Sequence, residues 1–394
     1  MGHSIVDQRE RLNRWPAVVA WAALVANLGA AGIAALQWAQ NYLANRGDSD
    51  FKIYYLAARI GLGYGWQHIY DPRLEDAVWK MLGDGFSQQA LPDRLFLSLP
   101  PVAWIAIPLT VLSPPTAYLA WSVAIVGCLA LTWWLLAPGQ ALWRATQLVV
   151  SLWVAPVLFG LMLGQANFLV LAAVAACWWL LLNDRPATAG LILTLIWIKP
   201  NVAFLVPPML LVLRERRAVA TWFVASAGLA LMVGLVIGAD GLAAYHHELM
   251  SFAGRPFNTA STVAQLIPNG QGAGVLEAGL GGLALFAGWR QRRRGPELPL
   301  AAAIAGSLLA SPYLHPYDFT MLLASIWLVL RSSPPKWLAW GMLFAIPAAE
   351  LLFTLGSLPL LAFAACLVVA IALVPRAEHV RRGYVTALES VAGA

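Results

Sequence analysis

Runs of apolar residues close to twenty long recur from one end of this chain to the other, and no other feature restricts its fold as strongly. A helix needs about 20 residues to cross a hydrocarbon core, and in lipid every backbone N–H and C=O has to be satisfied within the spanning structure. The other spanning solution, a β-barrel, would show alternating segments of about 10 residues, and the sequence lacks that pattern. An all-α, polytopic membrane protein is therefore expected. Composition agrees, with 60% of 394 residues hydrophobic and 11% charged, where an ordinary soluble domain has roughly 25% charged residues.

The formal charge of +6 does not point to nucleic acid. The basic residues cluster between apolar runs, at Arg214, Arg216 and Arg217, at Arg290 to Arg294, and at Arg376 to Arg382, as the positive-inside rule marks cytoplasmic loops. Cys128, Cys177 and Cys366 lie inside apolar runs without metal-ligand spacing, so neither a disulfide nor a zinc site is expected. The first run, Trp15 to Trp38, follows a basic segment and lacks a small-residue cleavage site, so it reads as the first transmembrane helix rather than a signal peptide.

Counting onward gives about twelve transmembrane helices in a single integral membrane domain, 1–394, with both termini cytoplasmic. A large first outer loop, residues 39–96, is expected to carry two short helices, Phe51 to Leu62 and an amphipathic one from Arg73 to Leu82. A second, polar outer loop should run from Asp240 to about Gly270. Between Leu97 and Leu213 two arrangements are open. Either Gly164 to Asn167 and Lys199-Pro200 are two outward-facing turns between half-length helices, or Ala187 to Leu213 is one kinked span. In both, irregular backbone at membrane depth has to be covered by protein or line a cavity.

Polar chemistry gathers in the first outer loop, where Gly47 to Pro72 holds Asp48, Asp50, Lys52, Arg59, His68 and Asp71 among aromatic residues. Asp50 opens a helix-like stretch, so it is either a helix N-cap or a catalytic base beside lipid and water, and Asp48 competes for both roles. Lys199 sits deep in an apolar run, where a bare ammonium costs at least ~2.5 kcal/mol. It either snorkels to an interface or holds a phosphate or carboxylate. Gln165 and Asn167, at a helix break, suit sugar hydroxyls or freed backbone groups equally. His315, with Tyr317 and Asp318, is a candidate cavity wall, and Arg255, near His246 and His247, could meet an acceptor or solvent. With no nucleotide-binding motif and no metal-ligand set, neither cofactor nor metal is expected.

Taken together, Asp50-Phe51 with Tyr54-Tyr55 and Ala57-Ala58, Ile69-Tyr70-Asp71, the break at Gly164 to Asn167, Lys199-Pro200, and Ser311-Pro312 with His315, Tyr317 and Asp318 resemble glycosyltransferase family 87. The likeness runs in order from about Asp48 to Phe319, and Pro100-Pro101 fits its aromatic-then-proline pattern. These are multi-spanning enzymes of the GT-C superfamily, related to polyprenyl-phosphate-mannose-dependent mannosyltransferases. The resemblance implies a GT-C-type helical fold in the cell membrane and inverting transfer of a hexose, mannose by analogy, at the outer leaflet. The donor would be a polyprenyl-phosphate sugar and the acceptor a lipid or glycan. It implies Asp50 as the general base, Lys199 and His315 facing the donor phosphate, and Gln165 and Asn167 lining the cavity; Tyr55, Tyr317, Asp48 and Arg255 are further candidate substrate-binding residues. The contrasting class is a transporter or flippase of lipid-linked sugars, with Lys199 and the helix breaks as its translocation site.

Overall fold

In a computed structural model of the chain, residues 3–45, 49–82, 96–253, 256–267, 271–339, 341–342 and 356–375 are described, and among them every regular element is helical. Three helices carry stretches long and apolar enough to cross a bilayer. These stretches are Trp21–Ala44 in α1 (His3–Asn45), Pro114–Leu136, which is α5, and Arg216–Phe252 in α11 (Arg216–Ala253). Trp21, Val25, Leu28, Ile33 and Leu36 of α1 are all exposed, as a lipid-facing helix requires.

The remaining apolar runs are broken. Helices α6 (Ala141–Trp153) and α7 (Ala155–Leu163) bend by 59° where they meet, the geometry of a broken span or a re-entrant loop. Pro156 causes the bend, because a proline lacks the N–H of an unbroken helix and its ring clashes with the preceding turn. Shorter apolar helices follow the same pattern: α8 (Asn167–Leu182), α9 (Pro186–Leu193) with the 3-10 turn Thr194–Ile198, α14 (Glu297–Leu309) and α16 (Leu358–Leu373). The expected twelve transmembrane helices are thus not confirmed among the described residues. Glycine and proline cut several runs into pieces that length alone does not qualify as spans.

The interior is built on α8 and α14. From Leu298 to Leu309 every side chain of α14 is buried, and a helix that is apolar on all sides belongs inside a bundle. Packed around α14 are α13 (Ala273–Gln291), α15 (Leu322–Arg331) and α16. At the end of α15 farthest from Asp318, Arg331 donates to the Leu135 and Leu136 carbonyls at 2.9 and 2.7 Å, closing the C-terminus of α5. Gln291 does the same for α16 through Ile371 and Val374.

The segment expected to be the first outer loop holds the two expected short helices, α2 (Phe51–Tyr64) and α3 (Pro72–Met81). Asp71 caps α3, its carboxylate accepting the Arg73 N–H at 2.9 Å with Pro72 in the first turn. Helix α2 does not rest on the surface. Phe51, Tyr55, Leu56, Ala58 and Ile60 are fully buried against α4 (Pro100–Ala106), the 3-10 turn Ile107–Val111 and α5. The second outer loop departs from expectation. Helix α11 kinks at Gly238, whose φ of 66° is easy only for glycine, and then continues as helix to Ala253, through the stretch expected to be a polar loop. The boundary at Gly238 was legible, but the helix beyond it was not.

Candidate active site

The two backbone breaks found in the sequence meet in space. After α7 the chain turns through Gly164 in the left-handed region, φ 68°. A Cβ there would come within 2.8 Å of Cβ of Phe51, so glycine is what lets this turn lie against the start of α2. The turn is fixed from behind by α5: Tyr118 Oη donates to the Met162 carbonyl at 2.7 Å and Trp121 Nε1 to the Gly164 carbonyl at 2.8 Å. The next residue, Gln165, is 3% exposed and is presented to Asp50.

Asp50 occupies the N-cap position of α2, yet its side chain makes no capping hydrogen bond. Its Oδ2 instead accepts from Gln165 Nε2 at 2.6 Å. On the other side of the same amide, Gln165 Oε1 accepts from Lys199 Nζ at 3.0 Å. Lys199 is the hinge between two 3-10 turns, Thr194–Ile198 and Pro200–Val202, where Pro200 prevents the helix from continuing. Both expected breaks are present, at Gly164 to Asn167 and at Lys199-Pro200, and the residues from Pro186 to Val212 form short helical pieces rather than one continuous helix.

Lys199 has its counter-ion. Its ammonium lies 2.6 Å from Oδ1 of Asp318, which is fully buried, and 4.3 Å from the centre of the Tyr317 ring. Asp318 is itself anchored, with Oδ2 accepting the His315 backbone N–H at 2.9 Å in the turn that starts the 3-10 helix Pro316–Met321. A continuous chain Asp50, Gln165, Lys199, Asp318 therefore joins the first outer loop, both helix breaks and the segment between α14 and α15. Such pairing is the condition on which charges are tolerated inside an apolar body.

Around this chain stand aromatic and amide groups. Asn167 Nδ2 donates to the Tyr317 carbonyl at 2.7 Å and Asn201 Nδ2 to the Tyr313 carbonyl at 2.9 Å, so both amides brace the 313–317 backbone. The His315 ring lies between Tyr313 and Tyr317, with Nε2 2.8 Å from the Tyr313 hydroxyl. Burial pushes the imidazole down to about 4, the Lys199 charge acting in the same direction and Asp318 opposing. His315 is thus neutral at pH 7 and offers a hydrogen bond rather than a positive charge.

Asp50, Gln165, Asn167, Lys199, His315 and Tyr317 are gathered as the sequence reading required. Tyr55 is not among them: its hydroxyl reaches the Leu112 carbonyl at 2.9 Å, on the far side of α2. Its neighbour Tyr54 takes the place: burial raises its phenol well above the usual range, and the nearby Asp50 carboxylate pushes in the same direction. Helical phase was the available signal, since positions i and i+4 share a face and Tyr54 is four residues from Asp50. Asp48 and Arg255 lie outside the described residues. Asp318, read only as a cavity wall, is the counter-ion that Lys199 demanded.

Residues 96–312, more than half of the chain, match glycosyltransferase family 87. No curated protein matches the chain, and no solved structure does. The matched region contains Gln165, Asn167, Lys199 and the Ser311-Pro312 pair, while Asp50, His315 and Asp318 flank it on either side and complete the same cluster. With its apolar helices and this buried polar cluster, the chain belongs to glycosyltransferase family 87 and is a membrane glycosyltransferase.

Proposed function

We propose that this protein transfers a hexose, mannose by family analogy, from a polyprenyl-phosphate donor to a hydroxyl of a lipid or glycan acceptor at the outer face of the cell membrane. Asp50 is the general base. A proton passes from the acceptor hydroxyl to the Asp50 carboxylate, and the acceptor oxygen attacks the anomeric carbon. The bond from that carbon to the phosphate oxygen breaks, and the polyprenyl phosphate leaves with the bonding pair. Displacement from the opposite face inverts the anomeric configuration.

One observation carries this reading: Asp50 stands at the head of a helix without capping it and is held instead by a side-chain amide linked to a buried lysine. A carboxylate serving only the helix would point back at its own backbone. Placed in a largely apolar protein, the same carboxylate is an available proton acceptor, and a positioned base contributes ~10²-fold or more to rate. The family match favours transfer over the transporter or flippase alternative.

Lys199 and His315 are proposed to face the donor phosphate. Because Lys199 already pairs with Asp318, its charge reaches a phosphate as one arm of a fixed ion pair, while the neutral His315 ring, with Nε2 on the Tyr313 hydroxyl, orients that hydroxyl beside it. Preorganised donors of this kind stabilise a leaving anion without reorganising during the reaction. The test is incubation of purified protein with labelled polyprenyl-phosphate hexoses and a membrane lipid extract. Transfer of label from one of them to an acceptor is expected. Transfer from a nucleotide sugar but from none of the polyprenyl phosphates would contradict the proposed donor class.

A further inference from the structure

From sequence Gln165 suits sugar hydroxyls or freed backbone groups equally, but both ends of its amide are committed to charged side chains of the protein. Nε2 faces Asp50 at 2.6 Å and Oε1 faces Lys199 at 3.0 Å, with the residue 3% exposed. Chemistry fixes this orientation without ambiguity. An ammonium can only donate, so it selects the amide oxygen, and an ionised carboxylate can only accept, so it selects the amide nitrogen. The backbone is equally fixed, since the Gln165 N–H donates to the Gly160 carbonyl at 2.9 Å and the adjoining Gly164 carbonyl is held by Trp121.

We infer that Gln165 is a positioning residue for the transfer reaction, an uncharged bridge that orients the Asp50 carboxylate while keeping it from pairing directly with Lys199. This rests on Asp50 being the base. A carboxylate in direct contact with an ammonium would be a poor base, because the ion pair favours the ionised form over the protonated one. A carboxylate with no donor at all would be free to rotate and, in apolar surroundings, would gain a proton too readily to accept another at neutral pH. The neutral N–H bond from Gln165, polarised by the lysine behind it, orients the carboxylate without placing the ammonium against it.

Removing the bridge should therefore change proton affinity and geometry together, and leave substrate affinity nearly untouched. The other groups that face Asp50 among the described residues stay in place: Tyr54 from α2, and Tyr313 and Tyr317 from the 311–318 segment, with Lys199 and its partner Asp318 beyond the amide. Gln165→Met keeps the shape and removes both hydrogen bonds. Gln165→Glu keeps the contact with Lys199 but sets a second carboxylate against Asp50, which makes protonation of the pair easier.

The experiment is steady-state kinetics across pH on both variants and on Asp50→Asn, using the polyprenyl-phosphate hexose that supports turnover. Thermal stability and donor binding are measured alongside as folding controls. Gln165→Met is expected to lower kcat by about 10- to 100-fold with little change in KM, as a misplaced catalytic group does. The acidic limb of its pH profile should move up by about one unit, and that of Gln165→Glu further still. A raised KM with unchanged kcat and an unmoved acidic limb would overturn the inference and make Gln165 a substrate contact. If those variants behave as expected but Asp50→Asn retains full turnover, the bridge stands as a structural feature and it is the assignment of the base that fails.

Discussion

Asp318 and Glu75, the two most deeply buried acidic side chains among the described residues, resolve the cost of burial in opposite ways. At the active site Asp318 is fully buried and stays beside an ammonium 2.6 Å away. Between α3 and the part of α11 beyond Gly238, Glu75 is 2% exposed and no cation among the described residues faces it. Its Oε1 accepts a long 3.3 Å bond from the Phe96 N–H, and its Oε2 has no partner among the described residues. Around it Tyr70 packs on Phe96 and Tyr245 at 5.4 and 5.0 Å between ring centres. Burial pushes its carboxyl up to about 8, with Glu248 and Asp71 adding repulsion, so Glu75 is mostly protonated at neutral pH. The comparison teaches that this fold keeps a charge only where it also supplies a partner, and it does so where the chemistry is proposed to happen.

Lys199→Met makes the first region resemble the second and should have the largest effect on the fold. Breaking a buried pair by removing one member costs about 3–5 kcal/mol, because the remaining charge stays desolvated. A large drop in thermal stability in detergent is expected, together with loss of transfer. Replacing both partners, as Lys199→Met with Asp318→Leu, should recover most of the stability and none of the activity. Wild-type stability in the single variant would show that the pair is not buried in the working protein.

The second region is probed by Glu75→Gln. Glu75 ionises at about 8 when folded and near 4.5 otherwise. Between these values the folded state holds the extra proton, so stability falls as pH rises, by about 1.4 kcal/mol per unit for a single proton. Below 4.5 both states are protonated and this dependence vanishes. The Gln variant should therefore melt at higher temperature than wild type at pH 8, with the gap closing toward pH 5. His315 acts on the other side: held neutral down to about 4, it costs stability as pH falls below 6.5. Parallel melting curves for wild type and Glu75→Gln across pH 5–8 would remove the contrast between the two regions.

The sequence carried much of the first region and almost none of the second. Asp50, Lys199, Gln165 and the two breaks were visible because polar residues and Gly or Pro are conspicuous in apolar runs. Lys199 announced that it needed a counter-ion, but the choice of Asp318 depends on how two distant segments meet, which no local pattern specifies. Glu75 reads as one charge on an amphipathic helix, and nothing nearby in sequence reveals that α11 runs past Gly238 to cover it. Against the twelve spans expected, the described residues hold three helices long and apolar enough to cross a bilayer, or four if the bent pair α6–α7 is one span, because proline breaks the backbone within several apolar runs.

The central claim is that Asp50 is a base and not a cap. Asp50→Asn preserves size and the ability to accept a capping hydrogen bond while abolishing basicity. Single-turnover transfer should be measured beside donor binding in the same preparation. The account predicts a loss of about 10²-fold or more in the transfer rate with donor binding within a few-fold of wild type. Transfer at the wild-type rate would contradict it and return Asp50 to a structural role at the head of α2.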